Sequence, residues 1–209
     1  MTNVSKKAFS AKNIAMLGVL TAFVVLFQVC LGTIKIGPTS FSLVLIPIVL
    51  GSCLIGPLAG GFLGFVFSLI VFLYGLFGAD VFTNVMLNTN FAVTFLIIFS
   101  KGILAGIVPG LLFNALKPVD DKLAVTVSAL SAPVVNTAIF VLILFAFRNV
   151  FVQSFIDKGY VSSVSSWANF VFIGCAGLNF IVEFGVNLVA TPLFYTVISV
   201  VDKKISQSK

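Results

Sequence analysis

Six apolar stretches, most of them long enough to cross a lipid bilayer, run through this 209-residue chain and constrain its fold more than any other feature. A hydrocarbon core about 30 Å thick takes about 20 apolar residues of α-helix. The stretches run from about Asn13 to Gly32, Phe41 to Ile55 (a short one), Leu58 to Phe77, Phe91 to Leu116, Leu123 to Phe147 and Ile173 to Val201. Backbone groups in lipid must be satisfied internally, which selects helices or a closed barrel. The period-2 alternation of a transmembrane barrel strand is missing from these runs, so an all-α membrane protein with six transmembrane helices is predicted. A water-soluble fold is excluded, because only 9% of the residues are charged against about 25% in soluble domains. Residues 1–209 read as one integral-membrane domain, with 1–12 and 202–209 as its polar ends.

The basic residues set the orientation. Lys6, Lys7 and Lys12 precede the first span, Lys117 and Lys122 separate the fourth and fifth, and Lys203, Lys204 and Lys209 follow the sixth. Six crossings place these three regions on one side of the membrane. The opposite side holds only Lys35, Arg148 and Lys158. The positive-inside rule makes the richer side cytoplasmic, so both termini are expected there, in a bacterial plasma membrane. The net charge of +6 therefore reports topology rather than nucleic-acid binding. The first apolar run is too long for a signal peptide, and no small-residue cleavage site follows it.

Composition also narrows the chemistry. The chain has no histidine, which excludes histidine metal sites and histidine acid–base catalysis. Cys30, Cys53 and Cys175 lack metal-ligand spacing and read as small apolar residues. No phosphate-binding loop of the Gly-x-x-x-x-Gly-Lys-Ser/Thr type occurs. Glu183 is the one acidic residue deep in a span and has no second acid beside it, which argues against an enzyme. No catalytic residue, metal or cofactor is assigned.

Charges inside a bilayer are costly and usually functional. Lys101 and Glu183 are the clear cases. At 1.5 Å per residue, Lys101 lies about 24 Å outward from Lys117, and Asn136 about 21 Å outward from Lys122. On the same scale, Glu183 lies about 28 Å and Asn187 about 22 Å outward from Asp202. Three spans thus carry a polar group at one level, in the outer half of the membrane. Asn179, Glu183 and Asn187 follow at i, i+4 and i+8, on one helix face. Two readings remain open for this layer. It forms an outward-open pocket for a small solute, or a structural Lys101–Glu183 ion pair with amides joining helices. Under the first reading the candidate substrate-binding residues are Lys101, Asn136, Asn179, Glu183 and Asn187. The polar outer stretch from Gly78 to Asn90, placed to serve as a lid, adds Asn88 and Asn90. The Ser-rich segment from Asn149 to Trp167 reads as an outer loop, with Trp167 as an interfacial anchor.

Small residues recur at helical spacing. Ala11 and Ala15, then Gly18 and Ala22, form a stripe on the first span that admits close approach of another helix, within this chain or from a partner. The third span carries Gly60, Gly61 and Gly64, and the fourth carries Gly102, Ala105, Gly106 and Gly110.

Several of these features together resemble the S component, the substrate-binding membrane subunit, of energy-coupling-factor (ECF) vitamin transporters. They are six helices in about two hundred residues, cytoplasmic termini and the Ala11/Ala15 and Gly18/Ala22 spacing. Ile46-Pro47, the run from Gly56-Pro57 to Gly64 and the run from Lys101-Gly102 to Phe113 are similar too. The likeness spans nearly the whole chain. It implies a vitamin bound near the outer face, and association with a transmembrane coupling protein and two ATPase subunits. It also implies a docking role for Ala11, Ala15, Gly18 and Ala22, and no hydrolysis by the chain itself. Pro133-Val-Val-Asn136-Thr137 and the Asn179, Glu183, Asn187 stripe look most like the pantothenate-type branch. Folate, pyridoxine-type compounds and cobalamin stay open as substrates. A self-sufficient small secondary transporter is the alternative from another class, although the two halves show no convincing repeat.

Overall fold

A computed structural model describes residues 11–32, 35–36, 39–40 and 43–207, with the side chains of 35–36, 39–40, 178 and 202–207 left aside. Lys6, Lys7, Lys209 and the Gly37-Pro38 turn lie outside the described residues.

The apolar runs become helices with nearly the expected limits. They are α1 (Ala11–Leu31), α2 (Leu45–Leu54), α3 (Pro57–Leu76), α4 (Val81–Thr89), α5 (Phe91–Leu116), α6 (Asp121–Ala146) and α7 (Arg148–Asp157). A 3-10 turn at Val164–Ser166 leads into α8 (Trp167–Asn169), a π-helical segment (Phe170–Gly177) and α9 (Leu178–Gln207). Between α1 and α2, β1 (Lys35–Ile36) pairs antiparallel with β2 (Thr39–Ser40). Among the described residues, five helical segments are long and apolar enough to cross a membrane: α1, α3, α5, α6 and Val164–Val201. The second span is α2, with 10 residues. It is about 15 Å long and so covers half the hydrocarbon thickness.

Local chemistry sets the helix ends. Gly56 adopts φ 137, which side chains rarely tolerate, and Pro57 supplies the first residue of α3. Asp120 accepts from the Leu123 amide at the start of α6, and Asn90 accepts from the Val93 amide at the start of α5. Pro109, Pro133 and Pro192 lie inside continuous helices. In lipid such breaks are tolerated where neighbouring groups re-satisfy the backbone.

Small residues bring α3 against α5. A Cβ on Gly64 would meet the Gly102 carbonyl, and one on Gly106 would meet the Gly60 carbonyl, inside van der Waals contact. Two buried hydroxyls tie the same layer together. Ser52 donates to the Gly106 carbonyl at 2.6 Å and Ser68 to the Ile98 carbonyl at 2.9 Å.

The apolar interior divides in two. One cluster gathers α2 with Leu63, Phe113, Ala129 and Phe194. The other gathers Phe82, Ile97, Phe140, Leu144, Phe151, Phe155 and Trp167. By the charge-derived orientation, the first is the cytoplasmic half and the second the outer half.

Two outer segments differ from the sequence expectation. The stretch 78–90 contains α4, which buries Phe82, Thr83, Val85, Met86 and Leu87. The segment 149–167 contains α7, which buries Phe151, Val152 and Phe155. Trp167 is 1% exposed rather than interfacial. Its ring lies 5.8 Å from those of Phe155 and Phe170, in tilted and edge arrangements. The helix of the last span starts well before Ile173, and this draws Trp167 into the packed region.

Candidate functional site

Between the two apolar clusters lies a cavity with about 860 Å³ of empty space, its open mouth included. Its walls come from six helices (α1, α3, α4, α5, α6 and α9) and the π-segment. Phe67, Val71, Met86, Ile97 and Ile98 form an apolar side, and Lys101, Asn136, Thr137, Asn179 and Glu183 form a polar one.

Helical spacing explains the polar side. Asn136 and Phe140 are one turn apart on α6, and Asn179 and Glu183 one turn apart on α9, so each pair shares a face. The π-segment immediately precedes Asn179 and contributes Cys175 and Ala176 to the wall. Such segments concentrate at functional sites. Asn136 and Glu183 are 5% and 4% exposed. Asn136 donates from Nδ2 to Glu183 Oε2 at 3.3 Å.

Lys101 also lines the cavity. Its ammonium lies 5.3 Å from the centroid of the Phe140 ring. Among the described residues it has no hydrogen bond and no ion pair with Glu183 or Asp80, although it feels both charges. Among the described residues, Lys101 is the one basic side chain lining the cavity.

The structure therefore brings Lys101, Asn136, Asn179 and Glu183 together and leaves three candidates outside. Asn187 is buried below the cavity, where its Nδ2 donates to the Glu183 carbonyl at 2.9 Å. Asn88 is exposed and donates to Asn84, while Asn90 caps α5. Asn90→Ala is expected to cost about 1 kcal/mol of stability, the usual value of an N-cap. Thermal unfolding in detergent should show the loss, with ligand affinity unchanged.

Sequence reasoning missed Gln28, Tyr74, Asp80 and Thr83 in the wall. Gln28 was detectable by the rule that singled out Lys101, since it is polar within an apolar span. Asp80 stood out as polar but was assigned to a loop; it accepts from Thr83 Oγ1 at 2.5 Å. Tyr74 and Thr83 carry no one-dimensional signal. Above the cavity, Tyr160 packs edge-on against Phe82 and Phe155. Burial raises its phenol above the ordinary value, with Asp80 and Cys175 adding to the effect.

The second surface is on α1. Ala11, Ala15, Gly18 and Ala22 are all exposed, and a Cβ on Gly18 would meet nothing within 4 Å. The opposite face of α1 buries Leu20, Val24 and Gln28. No individual curated protein matches the chain. A family model described as "ECF transporter, substrate-specific component" matches residues 12–195. That family is a transporter component rather than an enzyme class, and its members work with a membrane coupling protein and two ATPases. The match takes in most of the chain and every residue lining the cavity, and the chain belongs to the family of ECF-transporter substrate-specific components, as a multi-pass plasma-membrane protein.

Proposed function

We propose that this S component captures a small water-soluble vitamin bearing a carboxylate, and that the vitamin is pantothenate. The unpaired Lys101 ammonium in the cavity wall carries the proposal, because an intramembrane cation without a partner is stabilised when an anion arrives. Pantothenate offers one carboxylate, one amide, two hydroxyls and a branched hydrocarbon centre. The carboxylate suits Lys101 as a point charge. The hydroxyls and amide suit Asn136, Thr137 and Asn179, and the methyl groups suit Val71, Met86 and Ile97. The exposed stripe of Ala11, Ala15, Gly18 and Ala22 is the proposed contact with the coupling protein, which supplies the link to ATP hydrolysis.

A pyridoxine-type solute is the second reading. Asp80 and Glu183 favour it, since they place two carboxylates in the same wall for a protonated ring nitrogen. Calorimetric titration of the purified chain with a panel of B vitamins separates the two. Stoichiometric binding of pantothenate at micromolar concentration is expected. Binding of pyridoxine alone would replace the substrate, and binding of no vitamin in the panel would overturn the proposal.

A further inference from the structure

Lys101 and Glu183 line one cavity and carry opposite charges. Among the described residues Lys101 is the one cation there, so the wall offers a single counter-charge to an anionic ligand. Glu183 is 4% exposed, and Asn136 donates to its Oε2 at 3.3 Å. With the ligand carboxylate at Lys101 and a hydroxyl at Asn136, the hydroxyl end of the ligand lies beside a buried carboxylate. A neutral hydroxyl is tolerated there. A second anion is not, because like charges repel strongly where little water screens them. The repulsion acts over distance and needs no contact between ligand and Glu183.

We infer that Glu183 is a specificity-determining residue whose charge restricts the cavity to ligands with one anionic end and excludes those phosphorylated at the hydroxyl end. The inference rests on the cavity being the substrate site, with the ligand carboxylate at Lys101. It narrows the substrate class to an unphosphorylated monoanion. A phosphate monoester carries a charge of about −1.5 to −2 at pH 7. Esterified to the primary hydroxyl of pantothenate, it would bring that charge to Glu183 with Lys101 engaged at the far end.

Bulk also disfavours a phosphate, so the experiment separates size from charge. Calorimetric titration of the full chain in detergent compares pantothenate with pantothenate phosphorylated on its primary hydroxyl. The wild type is expected to prefer pantothenate by on the order of 100-fold. Glu183→Gln keeps the shape and an acceptor for Asn136 but removes the charge. It should reduce the preference to about tenfold or less, whereas a merely structural role would weaken both ligands equally. An unchanged ratio in Glu183→Gln would overturn the assignment to Glu183.

A second series needs no variant, which matters if Glu183→Gln does not fold. The phosphate monoester, its monomethyl ester and its dimethyl ester grow in size while their phosphate charge falls to zero. Affinity for the wild type is expected to rise along the series. A flat or falling series means that size governs, and the inference is lost. Equal wild-type affinity for pantothenate and its phosphate would also overturn it, with pantothenate kept as the substrate. If pantothenate itself does not bind, the substrate reading falls instead, and the same comparison is made between the B vitamin that binds and its phosphate ester.

Discussion

Lys101→Ala is expected to weaken pantothenate binding by about 2–5 kcal/mol, on the order of 100-fold or more in Kd. The variant removes the one basic group among the described residues of the cavity wall and leaves Glu183 and Asp80 facing the incoming carboxylate. Lys101→Arg should recover part of the loss, because the guanidinium keeps the charge but presents it as a planar fork on a different stem. Pantothenol, which has an alcohol in place of the carboxylate, should bind weakly to the wild type and be nearly indifferent to Lys101→Ala. Stability points the other way. Lys101 lies beside the Phe140 ring and has no ion pair among the described residues, so its loss should leave the melting temperature unchanged or raise it. If Lys101→Ala bound pantothenate like the wild type, the assignment of the carboxylate to this lysine would fail.

The same substitution at two glycines should have opposite consequences. Gly106→Leu places a side chain where the Gly60 carbonyl stands, and two backbones cannot yield as a flexible side chain would. Overpacking usually costs about 1–3 kcal/mol, and a backbone collision at a helix crossing belongs at or above the top of that range. A sharp fall in folded yield and melting temperature is expected. Gly18→Leu adds its side chain to open space on α1. Stability should change by less than about 0.5 kcal/mol, as for other surface sites. Ligand binding should persist, while co-purification with the coupling protein and ATPases should be lost, because the added bulk blocks close helix approach. Wild-type assembly by Gly18→Leu would remove the α1 stripe from the docking surface.

Legibility followed the physics of lipid. Phe91–Leu116 is bounded identically in sequence and structure, since an apolar run with no tolerance for free backbone has one solution. The outer elements were harder. In α4, the buried Phe82, Val85 and Met86 do recur at i, i+3 and i+4, but over nine residues that pattern competes with Asp80, Asn84, Asn88 and Asn90, which read as loop. Trp167 misled for a related reason. Tryptophan at the edge of an apolar run suits a membrane interface. Here the helices flanking it supply Phe155 and Phe170, and it packs instead.

The sequence by itself determined the membrane class, the apolar runs that become the helices and the level at which polar groups gather. Each follows from composition, run length and rise per residue, which are properties of one helix in lipid. Only the tertiary structure decided that Lys101 faces an open cavity without pairing with Glu183, and that Asn136 and Asn179 reach the same wall while Asn187 stays beneath it. It also decided which small-residue stripe is used inside, at Gly60, Gly64, Gly102 and Gly106, and which is left open on α1. The physical reason is geometric. Spacing along one helix sets depth and relative face, but the rotation of that face toward a neighbour, a cavity or lipid depends on how all the helices pack.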